Sequence, residues 1–206
     1  MNISLIWQSY KLFRSGDSFG DAAGIKACAF SPAETGELAE KALAMSDFHY
    51  QPISQNQLAK LPQTSLGFQY YQFLEDHGLQ IMNLSAKYHG HYSKCPITLR
   101  YVRIHDLVHV VTGFDPSVAG ELGVYAFAAA QNFSQPISRA YRFARTVSPL
   151  IKPTQLSLLR KVDKLGWSLG KQAQSVILYP FENNLHKTIY EVRQELNLPA
   201  EPQTSS

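Results

Sequence analysis

Apolar residues recur at three- and four-residue intervals along almost the whole chain, and nowhere do they alternate strictly with polar ones. Ile3, Ile6, Trp7, Tyr10 and Phe13 form the first such series, with Lys11 and Arg14 on other faces. Leu185, Ile189, Val192 and Leu196 form the last. Between them, "SPAETGELAEKALAMS" opens with a Ser-Pro-Ala-Glu cap pattern, and "SLGFQYYQFLEDHG" reads as an aromatic helix stopped by Gly78. "LQIMNLSAKYH" reads as a short helix and "HGHYSKCP" as a loop. A helix is predicted from Ile97 to Thr112, ended by Gly113. A second is predicted to restart at Asp115-Pro116 and to run to about Phe133. Further helices cover "PISRAYRFAR" and residues 154–174. No repeat and no linker interrupts them. The expected fold is all-α: one multi-helix domain over residues 1–206, with a tail that frays from about 198.

Hydrophobic residues make up 45% of the 206 and charged ones 17%, against about 25% charged in an average soluble chain. Such a chain fills a helical core and keeps apolar surface for a lipid or a partner. The net charge of +3 suits an anionic membrane surface and is too diffuse to imply nucleic acid. No segment reaches the roughly 18 apolar residues that span a bilayer. A membrane role therefore means lying on the surface. The first helix is read as core-packed, although Trp7 and Tyr10 would suit an interface. Cys28 and Cys95 are far apart and form no C-x-x-C, which points to a reducing compartment. No secretory or organelle leader is evident, so a bacterial member is expected, cytoplasmic and peripheral on the inner face of a membrane. For a eukaryotic one the expectation is the matrix side of the mitochondrial inner membrane.

The stretch "HDLVHVVTGFDPSVAGE" sets ionisable groups in apolar surroundings. Buried ionisable groups are costly unless paired or bound to a metal. On a helix His105 and His109 are one turn apart on one face, the spacing that presents two imidazoles to one ion. Asp106, about 100° from His105, can ligate or act as a carboxylate beside the ion. The turn at Gly113 then brings Glu121 back toward His109 if the two helices are antiparallel. Two imidazoles with one or two carboxylates suit a divalent cation: zinc first, with magnesium or iron as alternatives. A histidine pair alone is more often core than ligand. The carboxylates at a turn-compatible distance are what favour a metal. The spacing fits neither H-E-x-x-H proteases nor metzincins.

Four small residues, Ala119, Gly123, Ala126 and Ala130, line one side of the helix that carries Glu121. The plainer reading is tight helix packing; the sharper one is the wall of a groove for a prenyl tail. In that reading Tyr71 and Tyr125 join the lipid contacts, and the groove lies between the two motif helices and "LGFQYYQFL". Arg139, Arg142 and Arg145 form a solvated face that could hold lipid phosphates. His89, His91 and Cys95 are a weaker rival metal set. His49, His77 and His186 have no partner that the sequence names.

H-D-x-x-H followed after eleven residues by glutamate resembles the motif of the fourth coenzyme Q biosynthesis (COQ) protein family. "LPQTSLGFQYYQFL" is similar to that family's L-P-x-G-T-x-G-x-x-Y-x-x-F stretch, with Leu61, Pro62, Gly67 and Tyr71 in place. "AGELGVYAFAAAQ" resembles the helix after the motif in the family, and "ENNLHKTIYEVRQELNL" its C-terminal helix. The resemblance implies an all-helical peripheral membrane protein of ubiquinone synthesis. It implies a zinc site at His105, Asp106, His109 and Glu121, and a polyprenyl lipid or prenylated quinone precursor as ligand. It also implies other quinone-biosynthesis enzymes as partners, with homo-oligomerisation expected. Two roles follow from it: oxidative decarboxylation of a prenylated hydroxybenzoate, with Asp106 as ligand or base, or a non-catalytic scaffold holding the lipid. Tyr125 and Ala128 stand where a lysine and a glutamate are expected, which predicts a less polar pocket.

Overall fold

The structure is a computed structural model that describes residues 2–16, 18–45 and 52–202. Of the residues singled out above, His49 lies outside them. Eleven α-helices are described: α1 (Ile3–Ser15), α2 (Phe19–Phe30), α3 (Glu37–Ala44), α4 (Gln55–Leu58), α5 (Leu66–His77), α6 (His89–Tyr92), α7 (Pro96–Thr112), α8 (Val118–Ala130), α9 (Gln135–Ile151), α10 (Leu156–Gln172) and α11 (Ile189–Glu195). Among the described residues no strand forms, and the lone β-bridge joins Ser65 to Thr188. The domain is all-α, as the periodicity predicts.

Helix α7 is the axis of the fold. Proline fills its first turn, where no N–H is missed, and Gly113 closes it at a φ of 79°. Its side chains are buried nearly all round, including two arginines. Arg100 forks onto Glu182 and donates to the carbonyls of Ile177 and Tyr179. Arg103 donates to Met82 O and to Asn83 Oδ1. These bonds hold the irregular segments 79–85 and 175–182 against the helix, and so "LQIMNLSAKYH" is mostly not helical. Its carbonyls and Asn83 serve Arg103 and Ile53, and only Ala86–Tyr88 forms a short 3-10 turn. The expected cap at Ser31–Glu34 also works elsewhere. Helix α3 begins at Glu37, while the Glu34 carboxylate accepts from the N–H groups of Ile97 and Thr98 and from the Thr98 hydroxyl. A carboxylate on the first turn of α7 satisfies orphan donors and favours the helix dipole.

The small-residue seam of α8 packs against α10. A Cβ added at Gly166 would lie 2.2 Å from Gly123 O, and one at Gly170 2.2 Å from Phe127 O. Two backbones meet there without side chains between them, so the plainer reading of the seam holds at Gly123 and Ala130, and Ala119 and Ala126 are buried as well. Helix α8 stops at Ala130, short of Phe133, with Asn132 in the left-handed region.

Three more expectations change. The apolar series of α1 is not core: Ile3, Phe13 and Trp7 are 73%, 63% and 58% exposed. Cys28 and Cys95, far apart in sequence, are joined in a disulfide that ties α2 to the start of α7. The same bond removes Cys95 from the rival metal set with His89 and His91. The tail expected to fray at 198 is held through Pro199: Leu198 is buried, and Arg193 donates to Pro199 O and Val111 O. Within α11 the Thr188–Glu191 capping box starts the helix, and Val192 and Leu196 are fully buried.

Candidate metal centre

The turn after α7 is built so that α8 folds back along it. Gly113 reverses the chain, Asp115 accepts from the backbone and hydroxyl of Ser117, and Ser117 caps α8. The cap is therefore Ser117 rather than Asp115, because the carboxylate is used to shape the turn. Glu121 then falls in the first turn of α8, opposite the last turns of α7.

There it meets both histidines. His105 Nε2 lies 3.5 Å from Glu121 Oε2, His109 Nε2 lies 3.4 Å from Oε1, and the two Nε2 atoms are 3.3 Å apart. The ligand atoms of all three residues fall within 4.8 Å of one another. His109 Nδ1 is 2.9 Å from Phe114 O. A carbonyl only accepts, so the Nδ1 proton is committed there and the Nε2 lone pair faces the cluster. That is the orientation a second hydrogen bond imposes on ligating histidines. His105 Nδ1 lies 3.3 Å from the Tyr101 hydroxyl, which holds the ring and can either accept the Nδ1 proton or donate to Nδ1.

Lone pairs and a carboxylate set face to face repel unless a cation lies between them. With a proton, Glu121 is strongly acidic: burial would raise its carboxyl, but the hydrogen bonds from His105 and His109 outweigh this and hold it far below the usual range. His109 is displaced upward: burial opposes its charge, and Glu121 more than offsets that. With a metal, the spacing also fits. Donors about 2.0–2.1 Å from a tetrahedral ion are about 3.3–3.4 Å from each other. The donor set and its spacing thus suit a divalent cation.

Asp106 is not one of the three. Its place on the helix turns it off the His105–His109 face. Burial pushes its carboxyl upward, although the charges of both histidines work against the shift. Aromatic groups that the sequence did not place beside the histidines complete the surroundings. Phe73 stacks on His109 at 5.5 Å and touches His77 at 4.9 Å. Tyr101 is buried between His105 and Phe133, and burial, with Tyr125 and Glu121 adding, pushes its phenol well above the usual range. Helical spacing from His105 could have marked Tyr101, but Phe73 sits on α5 and meets His109 only across the fold. Tyr125 faces His105 at 6.2 Å.

A cleft of about 360 Å³ opens beside His109, between α5 and the end of α7, lined by Gln72, Phe73, Asp76, His77, Phe114 and Asp115. It occupies part of the predicted groove region but is polar-walled, and α8 does not line it. Tyr71 packs beside Phe68 against the core instead of lining it. An apolar cleft of about 420 Å³ lies elsewhere, between α1 and α2. On α9, Arg139 and Arg142 stand exposed, and Arg145 pairs with Asp163 at 3.2 Å.

A family model described as coenzyme Q (ubiquinone) biosynthesis protein Coq4 matches residues 44–202. The chain belongs to that family. Helices α1 and α2 precede the matched segment. The Coq4 homologue of Danio rerio is 28% identical over 153 residues, 70% of this chain and 53% of the relative. The Coq4 protein of Zygosaccharomyces rouxii is 28% identical over 154 residues, 73% of this chain and 45% of the relative. Both are named as mitochondrial ubiquinone biosynthesis proteins, and the chain spans about half the length of the curated relatives it matches. A crystal structure from Nostoc punctiforme, described as that of a ubiquinone biosynthesis protein, superposes with a TM-score of 0.63 at 22% identity over 95% of each chain. That likeness confirms the fold of this Coq4-family chain. No described helix is long and apolar enough to cross a membrane.

Proposed function

We propose that this Coq4-family chain acts in ubiquinone-type quinone synthesis as a metal-binding protein at a membrane surface. His105, His109 and Glu121 would hold a divalent cation, and zinc suits two imidazoles and a carboxylate best. The observation that carries the reading is the convergence of both Nε2 atoms on Glu121, with His109 Nδ1 locked on Phe114 O. The ligand class is a prenylated aromatic acid. A bound cation supplies Lewis acidity toward a carboxylate or phenolate.

The chain's own residues do the rest. Phe73 and Phe114 form an apolar floor for a ring in the cleft beside His109, and Asp76, His77 and Asp115 supply polar walls. Asp106, its carboxyl held upward by burial, is a proton donor or acceptor next to the histidines. Tyr125 faces His105 with a ring where the family resemblance leads one to expect a charge. That favours a second reading, in which the chain holds the prenylated precursor for partner enzymes without turning it over.

Elemental analysis and native mass spectrometry of the purified chain test the proposal. The expectation is one divalent cation per chain, lost in His109→Ala, and a co-purifying prenyl lipid. Full occupancy in His109→Ala sinks the metal assignment. Turnover of a prenylated hydroxybenzoate by the zinc-loaded chain separates the enzyme from the holding role.

A further inference from the structure

Helices α9 and α10 form a hairpin of unusual composition. Residues 135–172 carry eight basic residues and a single acid, Asp163, a formal +7, whereas the whole chain is +3; everything else therefore sums to −4. The lone acid is already engaged, by Arg145 at 3.2 Å and by the Tyr141 hydroxyl at 2.7 Å.

Five of the eight cations lie on the arcs turned away from the core. On α9, Ile137, Tyr141 and Ser148 are buried, and the opposite arc presents Arg139, Arg142, Phe143 and Leu150 within about 100° of one another. On α10, Leu159, Val162, Gly166 and Leu169 face α8, and the opposite arc presents Leu156, Arg160, Lys164, Trp167 and Lys171. The α10 arc reaches the flank of α9, where Tyr141 and Arg145 line one cleft with Lys164, Trp167 and Lys171.

Large apolar groups project from this cationic face. Leu150 is 77% exposed, Phe143 70% and Ile151 57%, and Lys171 Nζ lies over the Trp167 ring, 5.7 Å from its centroid. Apolar side chains interleaved with arginine and lysine on the outer face of a helix match a bilayer interface. The rings and branched chains enter the boundary layer while the cations meet lipid phosphates.

We infer that the α9–α10 hairpin is the face by which the protein docks on an anionic phospholipid bilayer, with both helices lying in the plane of the interface. The inference deepens the membrane-surface part of the function proposed above and is independent of the metal and the prenyl ligand. The −4 on the remainder of the chain orients the molecule, because it is repelled by the surface that attracts the hairpin.

The chain's two tryptophans sit on the two candidate faces, Trp167 on the hairpin and Trp7 on the exposed stripe of α1. The full chain is mixed with phosphatidylcholine vesicles with and without phosphatidylglycerol, as Trp7→Phe and as Trp167→Phe. Emission from Trp167 should shift to the blue and be quenched by brominated lipid, only with phosphatidylglycerol present and less at high salt. The exposed double variant Arg139→Gln/Arg142→Gln should bind about thirtyfold more weakly, at about 1 kcal/mol per cation near the surface, with unchanged circular dichroism. Phe143→Ser/Leu150→Ser should weaken binding without changing its salt dependence. A wild type that ignores both vesicle types overturns the membrane-surface reading together with this inference. Binding that only Trp7 reports, that the arginine variant leaves intact, or that neutral vesicles support equally overturns this inference alone. A blue shift of Trp167 with protein concentration and no vesicles makes the face an interface between copies and overturns it too.

Discussion

At the scale of single residues, buried charge organises this protein. Arg100 is fully buried, and its guanidinium is spent on one carboxylate and two carbonyls. Arg100→Met should destabilise the chain by about 3–5 kcal/mol, because it strands Glu182 in the interior. The companion variant Arg100→Met/Glu182→Leu should recover part of that loss in denaturant unfolding. Equal stability of wild type and the single variant would show the pair to be dispensable. The candidate metal centre follows the same logic: His109 is held by Phe114 O and His105 by the Tyr101 hydroxyl, and both converge on Glu121.

At the scale of elements, the contacts that matter are between backbones. Helix α10 reaches α8 through Gly166 and Gly170. Gly166→Val should cost about 3 kcal/mol or more, since the added carbons meet Gly123 O and neither helix has a side chain to move aside. A thermal midpoint like that of wild type would contradict the close approach. Helix α11 carries a pH dependence. The carboxyl of Glu195 is held low by hydrogen bonds from Lys187 at 2.6 Å and from Tyr179 at 2.5 Å. A carboxyl depressed in the folded state contributes stability that is present above its unfolded pKa and lost as pH falls through the folded one. Amide exchange around α11 should therefore speed up on acidification in wild type, and change less in Glu195→Gln.

At the scale of the whole molecule, the core divides into two apolar clusters, and the disulfide lies within the smaller one. The larger is built on α5, α7, α8 and α10. The smaller gathers Ile25, Leu84, Tyr88, Tyr92 and Leu99 around the Cys28–Cys95 bond. The bond spans 67 residues, and closing a loop of that length removes unfolded-state entropy worth about 4 kcal/mol. Cys28→Ser should lower global stability by up to that amount. Amide exchange should accelerate first in α1 and α2, with α7 and α8 losing protection last. Uniform acceleration across the chain would show that the two clusters unfold as one.

Periodicity alone determined the helical class, the bounds of α7 to within a residue, its glycine stop, and the His-His-Glu spacing. Each depends only on neighbours within a turn or two, where local geometry decides. Tertiary structure decided everything that depends on a distant partner. Glu34 caps a helix more than sixty residues away, as the 63-residue separation from Ile97 records. Cys95 is claimed by Cys28 and so leaves the rival metal set. Glycines of α10 meet α8 at Gly123, Phe127 and Ala130, and most of the apolar stripe of α1 is exposed among the described residues. A periodic pattern tells which face of a helix is apolar; which surface meets that face is settled only when the chain has brought the two together.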